Sequence, residues 1–138
     1  MWKVGSEIKD FKGEGRDPIG EPINLTQHDR SPEQVAAGVR DLMVSEREEI
    51  KALLTFSSLP TTGEIEDRAF RIAQYAPQGA AVMIGGAPFL MGGLERALKA
   101  RGCIPVYAFS QRESADQIQP DGSVRKVSVF RHLGFVRV

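Results

Sequence analysis

His28, in the stretch "NLTQHDRS", is one of two histidines in the chain, and an imidazole can give or take a proton near neutral pH. Arg112, in "SQRES", offers a planar fork of donors that matches phosphate oxygens. Between them in sequence stands "VMIGGAPF", where Gly85 and Gly86 interrupt an apolar run and would let an anionic ligand approach free backbone N–H groups. The polar side chains next to these groups, Thr26 and Gln27 on one side and Ser110, Gln111 and Glu113 on the other, complete a set suited to holding phosphate and moving a proton. Each member also has a plainer reading. Two glycines can merely make a tight turn, and His28 can be a solvated loop residue beside Asp29. His132 alternates with apolar neighbours in "VFRHLGF", which gives it a structural place.

The elements that would position these groups are read from periodicity and punctuation. "PINLT" is a short apolar burst fit for a buried strand. Ser31, Pro32 and Gln34 then form a helix start with a capping box, "VRDLM" after Gly38 suits a strand, and Ser45 with Glu48 suggests a second box opening "SEREEIKALL". Ile65, Ala69, Ile72, Ala73 and Ala76 recur at helical spacing. "AAVMI" is a strand buried on both faces, "APFLMGGLERALKAR" a helix stopped by Gly102, and "IPVYAFS" another buried strand. "SADQIQ" and "SVRKVSVF" flank a Pro-Asp-Gly turn and form a hairpin. Alternating strands and helices give an α/β fold, a Rossmann-like parallel sheet flanked by helices with a C-terminal β-hairpin. Ligands of such sheets lie beyond the carboxyl ends of the strands, so the loops carrying His28, Gly85 and Arg112 are expected to converge there.

Composition narrows the function classes. A chain of 138 residues with 41% hydrophobic content supports one domain, expected over residues 23–138, after an extension over residues 1–22 with four glycines and no sustained period. The lone Cys103 excludes an internal disulfide, and no cysteine or carboxylate cluster suggests a metal or a cofactor that needs one. Zero net charge argues against general DNA binding, although the last sixteen residues carry Arg125, Lys126, Arg131 and Arg137 and no acid. No run is long and apolar enough to span a membrane and the first residues lack a signal-peptide core, so a cytoplasmic location is expected. Zinc-protease, P-loop and nucleophile-elbow motifs are absent.

The second half, "VMIGGAPFLMGGLERALKARGCIPVYAFSQRES" with the run "VRKVSVFRHLGFV", resembles the small CRISPR-associated ring-nuclease-type proteins of the Csx group, and "NLTQHDRSPEQ" is similar to their first strand, Ser-His turn and helix start. The resemblance spans residues 23 to 138, and its specific motifs lie after Val82. Here Gln27 separates Thr26 from His28, so the turn is a residue longer. "NLTQH" and "MIGGAPFLM" are also shared with uncharacterised phage and prophage proteins. The first resemblance implies a ligand, a cyclic oligoadenylate second messenger with the four-membered ring foremost, and its linearisation without metal or cofactor. In that reaction a 2′-hydroxyl attacks its own 3′-phosphate and leaves a 2′,3′-cyclic phosphate. Arg112 and the Gly85 and Gly86 amides would hold phosphate while His28 acts as acid or base. A two-fold ring ligand further implies a homodimer. The alternatives are a non-catalytic sponge or protein-binding inhibitor of a bacterial defence system, and a conventional mononucleotide enzyme.

Overall fold

The computed structural model describes residues 20–138, so most of the extension expected over residues 1–22 lies outside the described residues. The order is β1 (Ile23–Asn24), α1 (Pro32–Ala36), α2 (Val44–Leu54), α3 (Thr62–Ala73), β2 (Ala81–Met83), α4 (Pro88–Ala100), β3 (Ile104–Ile118) and β4 (Val124–Arg137). The strands form one sheet in the order β1-β2-β3-β4, with β1, β2 and β3 parallel and β4 antiparallel to β3. The α/β class, the flanking helices and the C-terminal hairpin are as the sequence leads one to expect.

The stretch "VRDLM" does not become a full strand. Only Arg40 joins the sheet, as a parallel bridge to Ile23, with its N–H donating to the Pro22 carbonyl at 2.9 Å and its carbonyl accepting from Asn24 N–H at 2.8 Å. This bridge extends the sheet beyond β1. After β1 the chain therefore moves outward to Arg40, then returns across β1 to β2, and the direction of progress reverses between β1 and β2. Right-handed crossovers in opposite directions pass over opposite faces. Accordingly Ile50, Leu54, Ile72, Leu90 and Leu94 of α2, α3 and α4 share one core with Leu25 and Val82, while Val39, Met83, Val106 and Phe135 form a smaller cluster.

Local signals explain the helix starts. Ser31 Oγ accepts from Gln34 N–H at 3.1 Å and Gln34 Oε1 accepts from Ser31 N–H at 3.0 Å, completing the expected box. The expected Ser45–Glu48 box is replaced: α2 begins earlier, at Val44, and Glu46 Oε1 accepts from Met43 N–H at 3.3 Å. This start leaves Arg47, Ile50, Leu53 and Leu54 on the buried side, and that burial outweighs a hydroxyl cap. Within α4, Gly93 faces α3 closely enough that a Cβ would sit 3.4 Å from the Ala69 methyl, whereas one on Gly92 would meet only the tip of Arg96.

The largest departure lies in β3. "SQRES" is not a loop at a strand end: β3 runs 15 residues without a break and pairs with β4 from Val106 to Ile118. The ribbon turns at Pro120-Asp121-Gly122, where Gly122 has φ of 88° and Asp121 Oδ1 accepts from Ser123 N–H at 2.9 Å. Residues of β3 beyond Val106 pair with β4 alone and so form a two-stranded arm.

The adjacent glycines of α4 should thus respond differently to added side chains. Gly92→Ala is expected to raise stability by about 0.5–1 kcal/mol through helix entropy. Gly93→Leu is expected to lower it by about 1–3 kcal/mol by overpacking against Ala69. Urea denaturation of the two variants beside the parent chain checks both.

Candidate functional site

The carboxyl end of β1 is set by one buried carboxamide. Asn24, fully buried, uses all four of its hydrogen-bonding positions. Its Oδ1 accepts from Thr26 N–H at 2.9 Å and from Thr26 Oγ1 at 2.7 Å, and its Nδ2 donates to the His28 carbonyl at 3.0 Å and to Asp41 Oδ1 at 3.2 Å. Arg47 enters the same knot from α2. Only 8% exposed, it donates to the His28 carbonyl at 3.3 Å and pairs with Asp29 at 3.4 Å and Asp41 at 3.5 Å. Arg30 closes it, pairing with Asp41 at 3.1 Å and donating to the Val39 carbonyl at 2.9 Å. Asn24, Asp41 and Arg47 do not stand out in the sequence. The nearest signal is Asn24 itself, a polar residue inside an apolar burst.

This knot fixes a turn whose successive side chains diverge. His28 lines a concavity of about 830 Å³ at the carboxyl edge of β1 and β2, while Gln27 lines a separate hollow of about 490 Å³. Thr26, Gly85 and His28 meet at the larger concavity, together with Ser31 and Gln34 of α1 and Phe130 of β4. Gly85 has room, its would-be Cβ lying 3.7 Å from the Thr26 methyl. Gly86 turns toward the core instead, where a Cβ would lie 3.4 Å from Met91 and 3.5 Å from Leu54.

Ser110, Gln111, Arg112 and Glu113 do not converge there as loop residues. They are exposed or half-exposed positions of the arm, paired with His132, Arg131, Phe130 and Val129. Their polarity comes from the solvated faces of a ribbon. A usable signal existed, since "VYAFSQRESADQIQ" contains no glycine or proline to end a strand. Arg112 does not line the concavity, but its guanidinium lies 5.2 Å from the centre of the ring of Phe130, which does, in cation–π range. Glu113 pairs with Arg131 at 3.2 Å. Among the described residues no group of three metal-ligating side chains occurs, and no helix is long and apolar enough to cross a membrane.

His132 packs edge-on against Phe135 at 4.9 Å, and neither ring nitrogen finds a hydrogen-bond partner among the described residues. Burial holds its pKa below the ordinary imidazole value, with the Glu33 charge opposing. Tyr107 donates to Glu95 at 2.6 Å, and burial first, then that bond, push its phenol well above its usual range.

The sheet, the edge concavity and the motif-bearing segments all fall within one continuous span of sequence. The chain belongs to the Uncharacterized protein MJ1673 family, matched over residues 21–136. No curated protein and no solved structure matches it. In this MJ1673-family chain the matched span takes in β1 through nearly the whole of β4, so the larger concavity is built entirely from residues within the family match.

Two outcomes are expected. Asn24→Ala removes the buried acceptor of Thr26 N–H and should lower stability by about 1–3 kcal/mol in urea denaturation. For His132, whose folded-state pKa lies below the unfolded one, the unfolded chain binds the proton more readily. Stability is therefore full above the ordinary imidazole pKa and falls as pH drops below about 6.5. A His132→Leu variant should show a shallower loss of melting temperature on acidification.

Proposed function

We propose that the carboxyl-edge concavity binds a cyclic oligoadenylate, with the four-membered ring as the leading ligand, and that the chain linearises it without metal. The observation that carries this reading is the position of the concavity: it opens beyond β1 and β2, where the sheet's direction of progress reverses, the place at which open α/β sheets receive nucleotides. Phe130 offers a ring face for a base, the Ser31 hydroxyl and the Gln34 Nε2 offer hydrogen bonds, and Gly85 leaves backbone within reach. Arg112, beside Phe130, supplies the cation for phosphate.

In the reaction, a ribose 2′-oxygen attacks the adjacent phosphorus, the bond to the 5′-oxygen breaks, and a 2′,3′-cyclic phosphate and a free 5′-hydroxyl result. One proton leaves the 2′-hydroxyl and one reaches the departing oxygen. His28, exposed at the rim with its backbone held by Asn24 and Arg47, handles one of these transfers. Two chains about a two-fold axis would meet a symmetric ring, and a messenger of this kind places the protein in the cytoplasm.

A second reading rests on the arm. Phe109, Ile118, Val124 and Phe130 are more than half exposed on it, which suits a non-catalytic inhibitor that docks on a protein of a defence system. Incubation with cyclic oligoadenylates of several ring sizes, followed by chromatography and a melting assay, separates the two. Absence of both product and thermal shift with every ring removes the first reading. If it holds, Arg112→Ala should weaken binding by about 1.5–3 kcal/mol. His28→Ala should keep most of the affinity and lose about 10²–10⁴-fold in cleavage rate.

A further inference from the structure

The smaller hollow lies on the other side of the Thr26–His28 turn, against the loop after α2 and the first turn of α4, and it holds an aromatic pair that the protein fold does not use fully. Phe56 and Phe89 meet edge to face with centroids 5.0 Å apart. Phe56 is pinned by Arg68, whose guanidinium lies 4.2 Å from the ring centre and is itself held by the Leu53 and Thr55 carbonyls and by Glu64. Phe89 is thereby propped by a fixed neighbour, yet remains 52% exposed. Gln27 lines the same hollow, exposed, and its carboxamide makes no hydrogen bond to the described residues.

We propose that this hollow is a purine-base pocket, in which the base stacks on the free face of Phe89 and its hydrogen-bonding edge meets the Gln27 carboxamide. An aromatic platform beside a free amide is the combination by which proteins hold an unpaired base, and glutamine matches the donor and acceptor of adenine at N6 and N7. At about 490 Å³ the hollow falls in the size range of small-ligand sites. The pocket rests on the nucleotide reading of the larger concavity and deepens it. Gln27 and His28 are adjacent in sequence and serve opposite sides of one locked turn, so a ligand crossing the turn presents two bases, one toward Phe89 and one toward Phe130, with the linking phosphate between them. The ligand class is then an oligonucleotide of at least two linked units rather than a mononucleotide.

The test titrates adenosine 5′-monophosphate and uridine 5′-monophosphate into the isotopically labelled full chain and follows shifts by NMR. Phe89→Leu, which keeps apolar volume against Phe56, and Gln27→Leu are compared with the parent. Saturable shifts at Gln27, Phe56 and Phe89, stronger for the adenine nucleotide and weakened about tenfold in Phe89→Leu, are expected for the loss of one stacking contact. Shifts confined to His28, Gly85 and Phe130, or no saturable shift, would overturn the pocket. Affinity for the cyclic tetra-adenylate is read in parallel. Unchanged affinity in both variants overturns the pocket while the proposed function stands. Saturation by adenosine 5′-monophosphate at Gln27 and Phe89 with no cyclic ligand bound by the parent supports the pocket and removes the cyclic ligand.

Discussion

The side chain of Asn24 is the constraint on which the carboxyl edge of the sheet depends. β1 contributes only Ile23 and Asn24 to the ladder, too little for strand pairing alone to dictate the path of the chain beyond it. The carboxamide does this instead, closing the Thr26 turn on one side and reaching the His28 carbonyl and Asp41 on the other. Because the group is fully buried, each bond replaces one that water would otherwise have made, and leaving any of them open carries the full cost of desolvation. Arg47 extends the same logic to charge. A buried guanidinium is tolerated because Asp29, Asp41 and a carbonyl all face it, and truncating one partner would leave the others mismatched. The knot ties β1, the Arg40 bridge and α2 into one unit, and it sets the directions of Gln27 and His28.

The arm obeys a different constraint. A two-stranded ribbon in water has no core, so its cohesion comes from cross-strand pairs: Arg112 over Phe130, Arg131 with Glu113, and Lys126 with Asp116 at 2.8 Å. A register shift between Phe109 and Ser110, a few residues beyond the last pairing with β2 at Val106, leaves Leu133 outside the ladder. The pairing beyond this shift sets Phe130, which lines the larger concavity, opposite Arg112. None of the exposed apolar side chains of the arm lines the hollow at the half-exposed Phe89.

Local chemistry in the chain specified the kinds of element and most of their ends. Ser31, Pro32 and Gln34 encode the start of α1 through bonds within a single turn, Gly102 with φ of 75° ends α4, and Pro120-Asp121-Gly122 closes the hairpin, because each acts on backbone only a few residues away. The apolar bursts at β1 and β2 likewise announced burial, and the fold class with them. The company each polar residue keeps was settled instead by long-range contacts. Ser110 to Glu113 read as a loop because they are polar, yet polarity reports solvent, and both a loop and a ribbon face solvent; the partner strand that distinguishes them lies about twenty residues further along the chain. Gln27 and His28 look equivalent in sequence, yet they line separate hollows, and the turn that carries them is held at the His28 carbonyl both by Asn24, four residues away, and by Arg47 of α2, nineteen residues away. The Asn24 bonds to Thr26 and His28 are local, but those of Asn24 to Asp41 and of Arg47 to His28 join segments that folding alone brings together, and short-range propensity cannot encode them.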